Sequence, residues 1–175
     1  MKYKAISVFS VMSLTIVLSL SVTGCWTTVK DNHPLVVKNA AGPHAKVYFI
    51  RPRTERFMGM ADNRIKILLD NVPLMDLVKN EYTLVDIEPG FRLITAENQT
   101  TYGPAHKIKT EKRSSGFTFL AGNTYYVLIN PIDGEFRGVI FIPNLIDLKN
   151  ASRLARNLRA VGQARGNAIP DLATQ

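Results

Sequence analysis

The chain has 175 residues, with 22 Lys and Arg against 14 Asp and Glu, a formal charge of +8 at neutral pH. A charged fraction of 21% beside 46% hydrophobic residues excludes a disordered composition, and a single cysteine excludes an internal disulfide framework. The basic excess points to anionic neighbours such as lipid headgroups, lipopolysaccharide phosphates or an acidic protein.

Lys2 and Lys4 open the chain, and residues 5–20 are apolar or small without a charge. Val22-Thr23-Gly24-Cys25 follows, with Gly24 as the small residue a signal peptidase needs beside its cut. The tetrad resembles the lipobox of bacterial lipoproteins. The resemblance implies that residues 1–24 are a removed signal peptide, that Cys25 carries a thioether-linked diacylglycerol, and that its new amino group is acylated, for instance with palmitate. More than one acyl chain gives stable membrane anchoring. Two other readings stay open: an uncleaved anchor, since about 18 apolar residues just span a bilayer, and an ordinary secretory signal with an incidental cysteine. Export argues against a nucleic-acid partner. Without Lys2 and Lys4 the excess falls to +6 over about 150 residues, enough for one domain with a real core.

Residues 25–44 read as the lipidated cysteine and a tether, which reaches roughly 25 Å as a flexible chain. From Ala45 the pattern changes to short β-type runs. Lys46–Ile50 is the first, Ile65–Leu69 the second, stopped at Asp70-Asn71, and Val72–Leu77 the third, with Pro73 confining it to an edge or a strand start. Tyr82–Ile87 follows a Lys79-Asn80 turn. Glu88-Pro89-Gly90 fits a type II turn, with Gly where φ must be positive, and Phe91–Ala96 runs back from it. Phe117–Leu120 and Tyr125–Ile129 flank Gly122-Asn123, a tight-hairpin signal. Phe136–Ile142 is the last strand. This spacing predicts an all-β fold over residues 45–142, an antiparallel β-sandwich of about eight short strands.

The period then changes. Leu145, Leu148, Ala151, Leu154, Ala155, Leu158 and Val161 recur at helical spacing. They predict one basic amphipathic α-helix over residues 143–166, starting at Pro143-Asn144, stopping at Gly166, and followed by a frayed tail at 167–175. Docking of its apolar stripe on the sandwich is the expected fate; the alternative is an anionic membrane or a partner.

From Ala45 to Asn130 the order of motifs resembles an uncharacterised bacterial lipoprotein family, a domain of unknown function akin to PEGA-type β-sandwich modules. The matching pieces are Val47-Tyr48-Phe49-Ile50-Arg51-Pro52, Arg56-Phe57-Met58-Gly59, Leu69-Asp70-Asn71, Glu88-Pro89-Gly90 with Leu93, and Ala121-Gly122-Asn123-Thr124-Tyr125-Tyr126. Asn71 stands where that family usually has Gly, and an Asn still takes the left-handed conformation. The resemblance implies fold and location, and no catalytic residues.

Signals for chemistry are sparse. His33, His44 and His106 are isolated, without metal-ligand spacing, and nothing calls for a metal or cofactor. No nucleophile elbow, P-loop or dinucleotide fingerprint occurs. Asp62, Asp70, Asp76, Asp86 and Glu88 are scattered over strands and turns, so an envelope hydrolase acting on murein or glycan is the alternative to a non-catalytic module. Two segments offer binding residues. Residues 51–63 form a loop with Arg51, Arg53 and Arg56 beside Phe57 and Met58, where guanidinium groups suit phosphate or carboxylate. Residues 98–115 read as a long loop carrying Lys107, Lys109, Lys112 and Arg113. Tyr125-Tyr126 point to opposite strand faces, which argues against a paired stacking platform for glycan. The expected protein is a lipid-anchored, non-enzymatic binding or assembly module of the cell envelope, such as a subunit of a secretion system. The lipoprotein resemblance implies the outer membrane, because relatives held at the inner membrane carry Asp after the lipidated cysteine where this chain has Trp26; the expected setting is the periplasm, with an envelope protein as partner.

Overall fold

The structure, a computed structural model, describes residues 42–53, 64–102, 107–133 and 139–171. Cys25 and the expected signal peptide lie outside the described residues, as do Arg56, Phe57, Met58 and Asp62.

Among the described residues the fold is all-β with one α-helix. Nine strands run β1 Ala45–Arg51, β2 Ile65–Leu69, β3 Val72–Leu77, β4 Glu81–Ile87, β5 Gly90–Tyr102, β6 Lys107–Phe119, β7 Thr124–Asp133, β8 Val139–Ile146 and β9 Arg159–Gly162, with α1 Leu148–Ala155 before β9. One sheet has the order β8-β7-β1-β4-β9 and the other β3-β2-β5-β6. Val47, Phe49, Val85, Val127 and Phe141 from the first meet Ile65, Ile67, Leu77, Ile94 and Phe119 from the second in the main core. These are alternate residues on their strands, as a half-buried pleated surface requires.

The turns carry the chemistry their residues suggest. Asp70 and Asn71 take φ of 50° and 66°, closing the β2–β3 hairpin in the twist that suits it. Pro73 sits on β3, an edge strand, beside a register shift between Ile67 and Leu68, both settings that tolerate a residue without an N–H. Gly90 has φ of 122°, and a Cβ there would meet nothing within 4 Å. Gly90→Val is therefore expected to cost backbone strain alone, about 1–3 kcal/mol, read as a lower midpoint in denaturant. An unchanged midpoint would show that the turn tolerates a β-branched residue.

Several expectations are refined or corrected by the structure. The sandwich is antiparallel in most of its pairs, as expected, with two parallel pairs added: β1 with β7, and β4 with β9. The turns at Glu88-Pro89-Gly90 and Gly122-Asn123 each carry the chain from one sheet to the other, so Gly122-Asn123 closes no hairpin. Because β6 ends beside the start of β5 at Gly90↔Phe119, β7 departs from the same end as β1 and runs alongside it.

Residues 98–102 and 107–115 do not form a loop. They belong to β5 and β6, two 13-residue strands paired from Gly90↔Phe119 to Tyr102↔Lys107. Beyond Glu97 the ribbon has no further partner from β2, so few of its positions are apolar and the alternation that marks a strand is missing.

The helix is shorter than its apolar periodicity implies. Its N-cap is Asp147, whose carboxylate accepts from the Asn150 amide at 2.7 Å. It ends at Ala155, and Arg159–Gly162 then takes the open edge of β4 as a parallel strand. Gly162, with φ of 56°, would break a continuing helix. The segment after Ile146 docks on the outer face of the larger sheet. Ala151, Ala164 and Ile169 pack with Tyr48, Ile50, Tyr82, Leu84 and Tyr126 as a second core. The start of the expected frayed tail is held in place: Ile169 is buried, and the Tyr48 hydroxyl donates to the Asn167 carbonyl at 2.9 Å. Tyr48 stacks on Tyr126, its partner on β7, at 5.4 Å between centroids. Burial pushes both hydroxyls above the usual phenol value.

Candidate functional site

The register defines two ends. At one lie Ala45, Ile87, Gly90, Phe119 and Thr124, where the N-terminal segment enters. At the other lie Arg51, Glu81, Leu77, Ile65 and Arg159. The β5–β6 ribbon projects past this distal end, from Glu97 to Tyr102 by about 17 Å at the usual rise per residue. The β7–β8 hairpin also extends there, beyond the last β1 pair at Ile50↔Leu128. Asn98 Nδ2 joins the two ribbons by donating to the Val139 carbonyl at 2.9 Å. The two basic segments singled out in the sequence, 54 residues apart from Arg53 to Lys107, thus leave the sandwich at the same end.

Their residues separate by burial. Arg51 is fully buried and is not a surface contact. Its Nη1 donates to the Leu77 carbonyl at 2.7 Å, and its guanidinium lies 5.1 Å from the Phe141 ring centroid. It joins the rims of the two sheets, because a strand-end arginine on the inward face has a carbonyl and an aromatic face within reach. Arg53, two residues on, is exposed. Lys107, Lys109 and Lys112 are exposed on β6, and Arg113 is half-exposed.

Adjacent rows organise these charges. On one face of the ribbon Lys66, Glu97 and Lys112 sit side by side on β2, β5 and β6, with Lys112 Nζ at 2.6 Å and Lys66 Nζ at 3.6 Å from the carboxylate. The hydrogen bond from Lys112 holds the Glu97 carboxyl below the usual carboxylate range. On the other face Glu111 lies between Lys109 Nζ at 2.6 Å and Arg113 Nη1 at 3.8 Å. Arg64 adds a cation at the start of β2, 3.4 Å from Asp76.

The sequence does not mark Glu81, and it places Arg159 on the basic face of the expected helix rather than on a strand beside a carboxylate. Glu81 is 1% exposed, and its Oε1 accepts from Arg159 Nη2 across the β4–β9 pair. The register sets Arg51, Glu81 and Arg159 in one row on three neighbouring strands. The only signal was parity: Glu81 holds the inward phase of Thr83, Val85 and Ile87.

Of the scattered carboxylates, Asp70, Asp76, Asp86 and Glu88 are among the described residues. Asp70 and Glu88 meet, but through Arg92, whose Nη1 is 3.1 Å from Asp70 and Nη2 3.0 Å from Glu88. The guanidinium bridges the two carboxylates and staples two turns at the end opposite the ribbons. Asp76 is paired with Arg64, and Asp86 lies on β4 with Lys46 as its register partner. Among the described residues no group of three His, Cys, Asp or Glu side chains is placed to hold a metal ion. His44 is half-buried, and its carbonyl accepts from the Gly122 amide. Tyr125 and Tyr126 face opposite cores. No described helix is long and apolar enough to cross a membrane.

No protein-family model matches the chain. No curated protein and no solved structure matches it either. The class is therefore defined by the coordinates: a two-sheet β-sandwich with a helix-capped outer face and a basic, ribbon-bearing end.

Proposed function

We propose that this protein is a non-catalytic binding or assembly module of the bacterial envelope, anchored through acylated Cys25 and engaging an anionic partner with its distal end. One observation carries the reading: the topology gathers the two basic segments at the end opposite the entry of the N-terminal segment. A tether attached at Ala45 leaves that end free to face away from the anchoring membrane. The VTGC tetrad and Trp26 support an outer-membrane, periplasm-facing location. The motif order shared with the uncharacterised lipoprotein family supports the same setting, and a subunit of an envelope machine such as a secretion system fits it.

Photocrosslinkers placed at Arg53 and at Lys46 in native membranes test this. Arg53 is expected to yield a discrete adduct that Lys46, at the tethered end, does not, and mature protein is expected to begin at a lipid-modified Cys25. Equal adducts from both ends, an intact Met1, or murein turnover by the pure protein would overturn the reading.

A further inference from the structure

The β5–β6 ribbon ends in an edge strand whose two halves differ. Near Ser115 the edge of β6 is drawn to β8, since Ser115 Oγ donates to the Pro143 carbonyl at 2.7 Å. From Lys107 to Arg113 the described residues offer β6 no strand partner except β5. A two-stranded ribbon in water is marginal on its own. This one is supported on its inner face only, where Asn98 and Thr100 are buried.

The side chains along that edge alternate. Lys107, Lys109, Glu111 and Arg113 share the face of Thr100 and Asn98, their register partners being Tyr102, Thr100, Asn98 and Ala96. That face carries three cations against one carboxylate. Ile108, 59% exposed, and Thr110 lie on the opposite face, followed by Lys112, whose charge is taken up by Glu97. A strand added beside β6 would place every second side chain next to the cations and the others next to Ile108 and Thr110. Lysines on an edge discourage pairing between copies of the same strand, because they would bring like charges together. The same lysines favour a strand of opposite sign.

We infer that the Lys107–Arg113 edge of β6 is a strand-addition site for an extended segment of a partner protein in which acidic residues alternate with β-branched ones. Backbone hydrogen bonds would supply the register, and the Lys107, Lys109 and Arg113 row would supply the sign. The inference rests on the distal end being the docking end, but it specifies the mode of contact and is tested without reference to the anchor.

The probe is a short peptide alternating Glu and Val, mixed with the full chain in non-ionic detergent. Binding is expected to slow hydrogen exchange at the amides of residues 107–113 and not at β3 or β9. A peptide of the same charge with N-methylated backbone is expected to bind at least about tenfold more weakly, as is the Lys107→Glu/Lys109→Glu variant towards the original peptide. The neutral pair Lys107→Met/Lys109→Met, whose melting point should match the parent, serves where charge reversal impairs folding. Equal binding of the N-methylated peptide would overturn strand addition. So would protection on another edge, no peptide binding at all, or phosphatidylglycerol vesicles that bind the chain and displace the peptide. Those results would leave the distal-end crosslink standing, so the two readings fail separately.

Discussion

A chain ending at Ile146 is expected to lose its cooperative fold at room temperature. The deletion removes α1, β9 and residues up to Asp171, uncovering Tyr48, Ile50, Tyr82, Leu84 and Tyr126 on the outer face of the larger sheet. Fully burying a large apolar side chain is worth about 1.5–3 kcal/mol. Discounted for partial cover and a compact unfolded chain, five of them amount to roughly 5–10 kcal/mol. A domain has only about 5–15 kcal/mol in hand. The loss also exposes β4 as a new edge, which invites aggregation. Circular dichroism and a thermal melt of the truncated chain decide the matter. A melting point within about 5 °C of the parent would mean that the C-terminal segment is an appendage, not a second core.

Arg159→Met is expected to cost about 1–3 kcal/mol, because its partner is buried although Arg159 itself is 42% exposed. The reason is what it leaves behind. Glu81 is almost wholly buried, and its second oxygen, Oε2, has no hydrogen-bond partner. Removing the Arg159 guanidinium strands a carboxylate out of water. Arg156→Met, in contrast, breaks an ion pair with Asp171 whose two side chains are both near 43% exposed, and should cost less than about 1 kcal/mol. Glu81→Met combined with Arg159→Met should recover part of the loss, because the stranded charge is gone. Denaturant midpoints of the two single variants and the double measure the coupling. Strict additivity, or equal costs at Arg156 and Arg159, would remove the Glu81 pair from the account of stability.

Much of the fold was written locally. Ile65–Leu69 and Val72–Leu77 occupy the residues their apolar runs mark, and Asp70, Asn71, Asn80, Gly90 and Gly122 all take positive φ at turns. These features depend on neighbours in sequence: side-chain alternation and the steric freedom of Gly and Asn. Part of the site was equally legible. The exposed Lys107, Lys109 and Lys112 are basic wherever the chain places them, although their strand was not visible. A ribbon wet on one face and capped by polar Asn98 and Thr100 on the other lacks an apolar alternation.

What local sequence left open was partnership. A turn at Gly90 or Gly122 states that the chain reverses; whether it pairs with its predecessor or crosses to the opposite sheet depends on which faces must be buried. Arg51 looked like a loop cation until Leu77 and Phe141, 26 and 90 positions away, enclosed it. Leu158 to Val161 kept helical spacing, yet the open edge of β4 offered four residues of ladder that a helix could not satisfy. The convergence of residues 51–53 and 107–113 on one end follows from strand order and from the parallel run of β7 beside β1. Those are long-range choices, made by burial of two apolar faces and by backbone hydrogen bonding, and only the tertiary structure settles them.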